Sequence, residues 1–323
     1  MKAAVITELG RPPRYADFET PPPAGGAVLA RVEAASVKNI DRGLVSGRHY
    51  GSASLALPSV AGIDGVARLD DGRLVYASAT APYGMMAEQT LVDPTSAVEL
   101  PAGVDAATGA ALPNPGLSAW FSLEYAARVQ PGHSVLLLGA TGVTGAVAAQ
   151  LAKSQFGAGR VVAAGRNRTR LDWLRSKGVD EVVAIDDDIT DQVAALHASQ
   201  PFDAVIDYLW GAPAEQVLAA LGNSRLDARF HGTRYVQVGS MAGPTITLPA
   251  GVLRSAGIEI LGSGAGSVPA DGYARATTEL LPALFGMVAE GSLSITTDSR
   301  PLADVEQVWA ANEPSGTRMV LVP

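Results

Sequence analysis

The sequence predicts an α/β protein in which a doubly wound parallel sheet is combined with a β-rich domain that is discontinuous along the chain. Residues 1–117 hold short strand-like runs separated by Gly and Pro, a pattern typical of a compact antiparallel domain. From His133 onward, near-continuous apolar strands alternate with helical patterns, as in parallel sheets covered on both faces. Beyond Ser267 this alternation ends. The last segments have no sheet of their own, so we expect them to return to the first domain.

The strands and helices of the first domain follow from short apolar runs and from the residues that interrupt them. Its strands are expected in AAVIT, AVLARVEA, GVARL, RLVYA, MAEQTLV and AVEL. Two helical patterns come next, in DAATGAAL and GLSAWFSLEYAARV, and Gln130-Pro131-Gly132 ends the second.

The later strands are continuously apolar, which indicates burial on both faces of a parallel sheet. They are SVLLLG, RVVAAG, EVVAI, FDAVIDY, RYVQVGS and IEILGSG. The intervening helices are expected in VTGAVAAQLAKSQ, TRLDWLRSKG, ITDQVAALHAS and PAEQVLAAL. Right-handed crossovers between such strands give a doubly wound fold. The tail predicts a helix in ATTELLPALFGMVAEG, a strand in SITTDS, a helix in PLADVEQVWAAN and a final strand in TRMVLVP.

Length and composition bound the class of protein. The 323 residues exceed one ordinary core and favour two domains, which we place at 1–117 with 266–323 and at 118–265. No apolar run reaches the roughly 18 residues that a membrane-spanning helix needs. The start MKAAVITELG lacks the pattern of a secretory signal, so no membrane partner and a cytoplasmic location are expected.

Charge and cysteine content exclude further classes. The net charge is −8, so a broad nucleic-acid surface is not expected. The chain has no Cys, which removes disulfides, thiolate chemistry and any cysteine-ligated metal site. No pair among its four His residues has metal-ligand spacing, so no metal is expected.

The stretch LLLGATGVTG carries the main functional signal. It joins an apolar strand to a helix through glycines spaced by three residues, which in this context is the dinucleotide-binding fingerprint of a Rossmann domain. Gly139 permits the tight turn, Gly142 lets the backbone approach a pyrophosphate, and Gly145 lets the helix pack on the strand. The helix N-terminus then faces the phosphates, and two threonine hydroxyls are possible donors. The expected cofactor-binding residues here are Gly139, Ala140, Thr141, Gly142, Val143, Thr144 and Gly145.

The end of the next strand indicates which dinucleotide binds. An NAD site places Asp or Glu about 20 residues after the glycines, on the ribose 2′-hydroxyl. In this chain RVVAAG is followed by Arg166 and no acid, and a guanidinium suits a 2′-phosphate. The sequence therefore predicts NADPH as the cofactor. The expected binding residues at this strand end are Gly165, Arg166, Asn167 and Arg168.

The loops after two later strands are expected to enclose the nicotinamide, because ligands bind at the carboxyl ends of parallel strands. The candidates are Val238, Gly239, Ser240, Ser263 and Gly264. Tyr208 and Trp210 end another such strand, where either is a candidate to stack on adenine, although a core or surface aromatic is the better interpretation.

Taken together, these motifs resemble the zinc-independent medium-chain dehydrogenase/reductases, in their zeta-crystallin-like quinone oxidoreductase branch. The resemblance spans nearly the whole chain and rests on SVKNIDRGLVSG, PSVAGIDG, APYGMMAEQTLV, GAALPNPGLSAWFSL, LLLGATGVTGAVAAQLAK, GVDEVVAIDD, FDAVIDY, VQVGS and GTRMVLVP. It implies a GroES-like N-terminal domain that the C-terminal segment rejoins, together with the Rossmann domain.

The resemblance also implies functional residues, with two departures. Zinc-dependent relatives carry a Cys near SVKNID and a His-Glu pair after a glycine, whereas here Gly62 is followed by Ile63 and Asp64. The family's Asn near the nicotinamide is replaced by Lys38, so its role passes to Lys38 or Asn39. The remaining candidates are Tyr50 or His49 for a family Tyr, Ser118 for a family residue near the cofactor phosphates, and Asp41 as a structural helix cap.

The chemistry that follows is hydride transfer to an electrophilic carbon. By resemblance, the acceptor is a quinone or an α,β-unsaturated carbonyl (an enone), with Lys38 and Tyr50 ranked first as catalytic donors and His49 or water as alternatives. Two other functions stay open: an NADPH-binding sensor or stress protein with little catalysis, and an enoyl-thioester reductase, for which Arg42 and Arg48 are the sparse evidence. A homodimer paired through IEILGSG is also expected from the resemblance.

Overall fold

The computed structural model describes residues 1–23, 25–186, 188–222 and 230–323, apart from the side chain of Tyr50. The chain forms two compact units. The discontinuous unit comprises Met1–Asn114 and Ala274–Pro323, and the central unit comprises Pro115–Tyr273. The sequence placed these divisions after residue 117 and before residue 266.

Sixteen strands and eleven α-helices occur in the described part of the chain. The strands are β1 (Lys2–Ile6), β2 (Arg14–Asp17), β3 (Val28–Ser36), β4 (Ser59–Val60), β5 (Asp64–Arg68), β6 (Leu74–Ser78), β7 (Gln89–Val92), β8 (Val98–Glu99), β9 (Ser134–Leu138), β10 (Arg160–Gly165), β11 (Glu181–Ala184), β12 (Ala204–Asp207), β13 (Gly232–Gln237), β14 (Gly257–Gly262), β15 (Thr296–Pro301) and β16 (Thr317–Val322).

The helices alternate with the strands of the central unit and are fewer in the discontinuous unit. They are α1 (Asn39–Val45), α2 (Ala106–Ala111), α3 (Pro113–Phe121), α4 (Val143–Ser154), α5 (Arg168–Ser176), α6 (Thr190–Ser199), α7 (Gly211–Leu221), α8 (Ala250–Ser255), α9 (Ala270–Arg275), α10 (Leu281–Ala289) and α11 (Val305–Ala310). Within the described residues, none of these helices has both the length and the hydrophobicity required to cross a membrane.

The central unit is a six-stranded sheet in the order β11-β10-β9-β12-β13-β14, with every pair parallel. Its central strands β9, β10 and β12 are mostly apolar and are buried along their whole length, as expected for a parallel sheet that helices cover on both faces. The order reverses between β9 and β12, which is the topological switch point of a doubly wound sheet. This confirms the predicted fold class.

The discontinuous unit is built from two mainly antiparallel sheets, one of which the end of the chain completes with the parallel pair β15 and β16. One sheet has the order β2-β1-β4, and the larger has β15-β16-β3-β5-β6-β8 with β7 also paired to β3. β16 lies antiparallel to β3, with Val320 opposite Ser36 and Leu321 opposite Ala35. The expected return of the C-terminal segment to the first domain is therefore confirmed.

Because β16 lies inside this sheet, we expect its inward side chains to stabilise the discontinuous unit. Leu321 is 1% exposed within the core, whereas the next residue, Val322, is 36% exposed. Leu321→Ala is expected to lower the free energy of unfolding by about 2–5 kcal/mol, since it leaves a cavity. The matched control Val322→Ala is expected to cost about 0.5 kcal/mol or less. Urea unfolding of both variants measures this, and equal losses would contradict the placement of β16.

Candidate functional site

The turn after β9 has the geometry that its glycines predict. Gly139 has φ +87°, a left-handed conformation that glycine adopts without strain. The N–H groups of Gly139 and Ala140 both donate to the carbonyl of Ala164, at 2.9 Å each, which fixes the turn against β10. A Cβ on Gly145 would lie 2.5 Å from the carbonyl oxygen of Gly139. The predicted structural roles of Gly139 and Gly145 are confirmed.

The N-terminus of α4 starts directly at this turn. Gly142 is its N-cap residue and supplies no side-chain cap. The first helical hydrogen bond runs from Ala146 N–H to the carbonyl of Gly142, so the N–H groups of residues 143–145 precede the helical ladder. Such N–H groups, at the positive end of a 12-residue helix, suit an anion such as a phosphate.

The two threonines of the turn differ in their surroundings. Thr141 is buried, and a Cβ on Gly165 would lie 2.4 Å from its Cγ2 atom. Its side chain therefore fills the space beside Gly165 and is closed off from solvent, which argues against a phosphate contact through its hydroxyl. Thr144 is half-buried in the first turn of α4.

The end of β10 presents basic residues with different partners. Arg166 directly follows Gly165, is exposed, and forms no ion pair with a carboxylate among the described residues. Asn167 caps α5 by accepting the N–H of Arg170 at 3.1 Å. Arg168 is paired with Asp186 at 2.6 Å. Of the predicted group, Arg166 is the cation at this strand end whose charge is not compensated in the described part of the chain.

The loops after β12 and β13 are tied together through one residue that the sequence analysis missed. The backbone carbonyl of Asp207 accepts the N–H groups of Val238 and Gly239, at 2.8 and 3.1 Å. The Asp207 side chain is fully buried, and burial raises its pKa while hydrogen bonds from Trp210, Leu209 and Tyr235 act in the opposite direction. An acidic residue at the end of the apolar run FDAVIDY was the available signal.

The other predicted residues in and beside these loops are either exposed, bound through their backbone, or buried in the core. Ser240 is exposed after β13, and the N–H of Ser263 donates to the carbonyl of Gln237 at 2.8 Å. Gly264 is exposed. Tyr208 is 8% exposed, which agrees with its interpretation as a core aromatic.

In the discontinuous unit, Lys38 lies in a buried ionic cluster. Its Nζ is 3.0 Å from a carboxylate oxygen of Asp64 and 3.2 Å from one of Asp41, and it donates to the carbonyl of Ser36 at 2.9 Å. Burial alone would lower the pKa of Lys38. The negative charges of Asp41 and Asp64 outweigh this effect, so the pKa is raised above its usual value. Burial raises the pKa of Asp64, and the positive charge of Lys38 offsets part of this increase.

This placement corrects the prediction that Lys38 is a catalytic donor. Its side chain has no exposed surface and is surrounded by partners, so it cannot touch a substrate in this arrangement. The structural role expected for Asp41 is confirmed: its carboxylate accepts the N–H of Lys38 at 3.0 Å and that of Ile63 at 3.2 Å. Asp41 thereby joins the start of α1 to the segment after Gly62.

The remaining predicted residues are divided between the two units, and each is described within its own unit. Asn39 is the exposed first residue of α1, and His49 Nδ1 accepts the N–H of Gly51 at 3.1 Å. Tyr50 begins a 3-10 turn, but its side chain lies outside the described residues. Ser118 is half-buried in α3 and belongs to the central unit.

Comparisons with known proteins agree with this architecture. A family model described as zinc-binding dehydrogenase matches residues 143–281. Over the full length of both proteins, the chain is 27% identical to a probable NADPH-dependent quinone reductase from Emericella nidulans. It is 30% identical to a trans-enoyl reductase from Aspergillus terreus over 67% of this chain and 62% of that protein. The solved structure of the quinone oxidoreductase from Thermus thermophilus, 26% identical, superimposes with a TM-score of 0.81 and full coverage of both chains.

A parallel sheet with a glycine turn at its first crossover, combined with a separate β-rich unit, defines a two-domain protein of the dinucleotide-binding class. The chain belongs to the medium-chain dehydrogenase/reductases, of the quinone oxidoreductase type.

The buried cluster generates a stability prediction for the discontinuous unit. Lys38→Met leaves the carboxylates of Asp41 and Asp64 buried without their cation, and we expect a loss of about 3–5 kcal/mol in unfolding free energy. The control Lys153→Met removes a half-exposed pair with Asp180 and is expected to cost about 1 kcal/mol or less. Chemical denaturation compares the two. If Lys38→Met lowered the unfolding free energy no more than Lys153→Met does, the cluster would not be holding this unit together.

Proposed function

We propose that this chain is an NADPH-dependent reductase that delivers hydride to a quinone or to an α,β-unsaturated carbonyl compound. The observation that carries the proposal is the combination, in the central unit, of the glycine turn after β9 with Arg166 after β10, which is exposed and has no carboxylate partner among the described residues. The first suits a pyrophosphate and the second suits a 2′-phosphate, which distinguishes NADPH from NADH.

The residues present fit this cofactor. In this proposal the N–H groups of residues 143–145 and the dipole of α4 bind the pyrophosphate, and Gly142 contributes no side chain that would block its approach. In this proposal Arg166 pairs with the 2′-phosphate. The loops that contain Val238–Ser240 and Ser263–Gly264 follow the carboxyl ends of two parallel strands of the same sheet. Doubly wound folds bind dinucleotides at these strand ends. When bound, NADPH supplies the hydride.

The acceptor class follows from the charge that the reaction develops. A conjugated quinone or enone spreads the negative charge of the reduced product, so it depends less on a Lewis acid than a simple ketone does. Because Lys38 is enclosed, His49, Tyr50 and water remain as the candidates for delivering the proton. The relatives named as quinone reductases and quinone oxidoreductases support the quinone as acceptor.

An enoyl group is the second candidate acceptor. It is favoured by the similarity to a trans-enoyl reductase and, at 27% identity over 96% of this chain and 15% of that protein, to a mycocerosic acid synthase-like polyketide synthase from Mycobacterium tuberculosis. Quinones and enoyl thioesters are both activated alkenes, so one hydride-delivery site serves either. NADPH oxidation measured with a matched panel of quinones, enones and enoyl thioesters tests the proposal. Tight NADPH binding without turnover of any acceptor would instead favour a sensor.

Arg166 provides the sharpest test of the cofactor. Arg166→Ala should weaken NADPH binding by about tenfold to a hundredfold, the value of a charge-assisted hydrogen-bonded pair, and should leave NADH binding nearly unchanged. Arg175→Ala is the matched control, since Arg175 lies on α5 and is already paired with Asp172 at 2.9 Å. Titration calorimetry with both nucleotides measures the effect. Equal weakening of NADH and NADPH would count against a 2′-phosphate contact.

We also propose that two copies of the chain pair through β14. This strand is the edge of the six-stranded sheet, and Ile260 on it is 38% exposed. Phe230, 85% exposed, lies close to the same strand, because a Cβ on Gly257 would fall 2.5 Å from its ring. Among the described residues no further strand pairs with this edge, and an open edge with apolar side chains is a template for a second strand.

A charge on this edge should therefore separate the two copies. Ile260→Lys is expected to shift the protein from twice 33.1 kDa to a 33.1 kDa monomer. Tyr15→Lys, with similar exposure on β2 of the discontinuous unit, serves as the control and should not change the mass. Light scattering after size-exclusion chromatography gives the masses. A parent protein that is already monomeric would refute the pairing.

A further inference from the structure

The loop after β12 contains a strained residue. Trp210 has φ +56° and ψ −161°, a backbone conformation that is essentially restricted to glycine. Such strain persists only where the surroundings impose it, and it concentrates at binding and active sites. The loop lies at the topological switch point of the sheet, and Leu209 approaches the glycine turn: a Cβ on Gly139 would be 3.1 Å from a Leu209 methyl group.

The side chain of Asp207 imposes this conformation. One carboxylate oxygen accepts the N–H of Leu209 at 2.7 Å and that of Trp210 at 3.0 Å. The other accepts the hydroxyl of Tyr235 on β13 at 2.8 Å. Since the carboxylate is fully buried, these bonds do not compete with solvent, and the chain must turn around it.

The loop after β13 is held by the same residue and its neighbours. In addition to the two N–H groups bound by the Asp207 carbonyl, the carbonyl of Leu209 accepts the N–H of Ala242 at 2.7 Å. A Cβ on Gly239 would lie 2.6 Å from the carbonyl oxygen of Tyr208, so the two loops are in direct backbone contact. The loops after β12 and β13 therefore form one connected wall next to the turn after β9.

We infer that Asp207 is a positioning residue for the dinucleotide: its carboxylate sets the shape of this wall and thereby prepares the site at the switch point. The inference rests on the proposed NADPH site. Asp207 does not need to touch the cofactor. Its carboxylate acts through the backbone of Leu209 and Trp210 and through the hydroxyl of Tyr235.

The alternative is that Asp207 only stabilises the fold, and a matched residue separates the two roles. Asp203 lies at the opposite end of β12, where its carboxylate accepts the N–H of Ser134 at 2.7 Å. It performs the same backbone-binding chemistry away from the switch point. A purely structural contribution should lower stability at both positions, whereas a positioning role should change NADPH affinity only at Asp207.

The experiment compares the parent with Asp207→Ala, Asp207→Asn, Tyr235→Phe and Asp203→Ala, using calorimetric NADPH affinity and thermal unfolding of the cofactor-free protein. Binding is measured well below each midpoint. We expect Asp207→Ala to weaken NADPH binding at least tenfold. Asp207→Asn keeps an oxygen for the two N–H groups and should stay within about threefold of the parent. Asp203→Ala should lower the midpoint without changing affinity.

Tyr235→Phe keeps the inference testable if Asp207→Ala does not fold. It removes one anchor of the carboxylate and should weaken NADPH binding at least threefold. An Asp207→Ala variant that folds and binds like the parent would overturn the inference, as would unchanged binding by Tyr235→Phe. The inference would also be overturned if Asp203→Ala weakened NADPH binding as much as Asp207→Ala does. If the parent itself does not bind NADPH, the proposed function fails along with the inference.

Discussion

The contact between α4 and the end of β9 is the constraint on which the central unit depends. The backbone of Gly145 lies so close to the carbonyl of Gly139 that no side chain fits between them. This contact fixes where α4 begins, so that its first N–H groups follow directly after the carboxyl end of β9. A helix that started farther from the strand would cover the same apolar core but would not form an anion site.

A different principle organises the discontinuous unit. Its core is apolar, yet Lys38, Asp41 and Asp64 are buried within it. Buried ion pairs add little net stability compared with apolar residues of similar size, but removing one partner is costly. Asp41 binds backbone N–H groups on two segments, and Lys38 links it to the start of β5. The cluster therefore specifies how α1 and the segment before β5 meet, which apolar packing alone would leave less well defined.

The sequence predicted the parallel sheet well because strands buried on both faces carry a strong continuous signal. It missed β2, since three of its four residues are exposed and Pro13 precedes it, so no periodic apolar pattern marks it. The glycines were predictable for a local reason, because turn, strand and helix are contiguous. Lys38 and Asp207 were not, because their partners Asp64 and Tyr235 are distant in sequence. Only the folded chain shows that the first is enclosed and the second anchors two loops.

The distribution of arginines after β10 explains why one of them is the better candidate for cofactor selection. Arg168 is paired with Asp186, and Arg170 lies over the ring of Trp173 at 4.0 Å from its centroid. Arg166 is the nearest of the three to the strand end, and it has no carboxylate partner among the described residues. A cation at the start of a helix is opposed by the helix dipole. A bound phosphate at this position would reverse that penalty, so the feature that is unfavourable in the isolated chain becomes favourable once a 2′-phosphorylated dinucleotide binds.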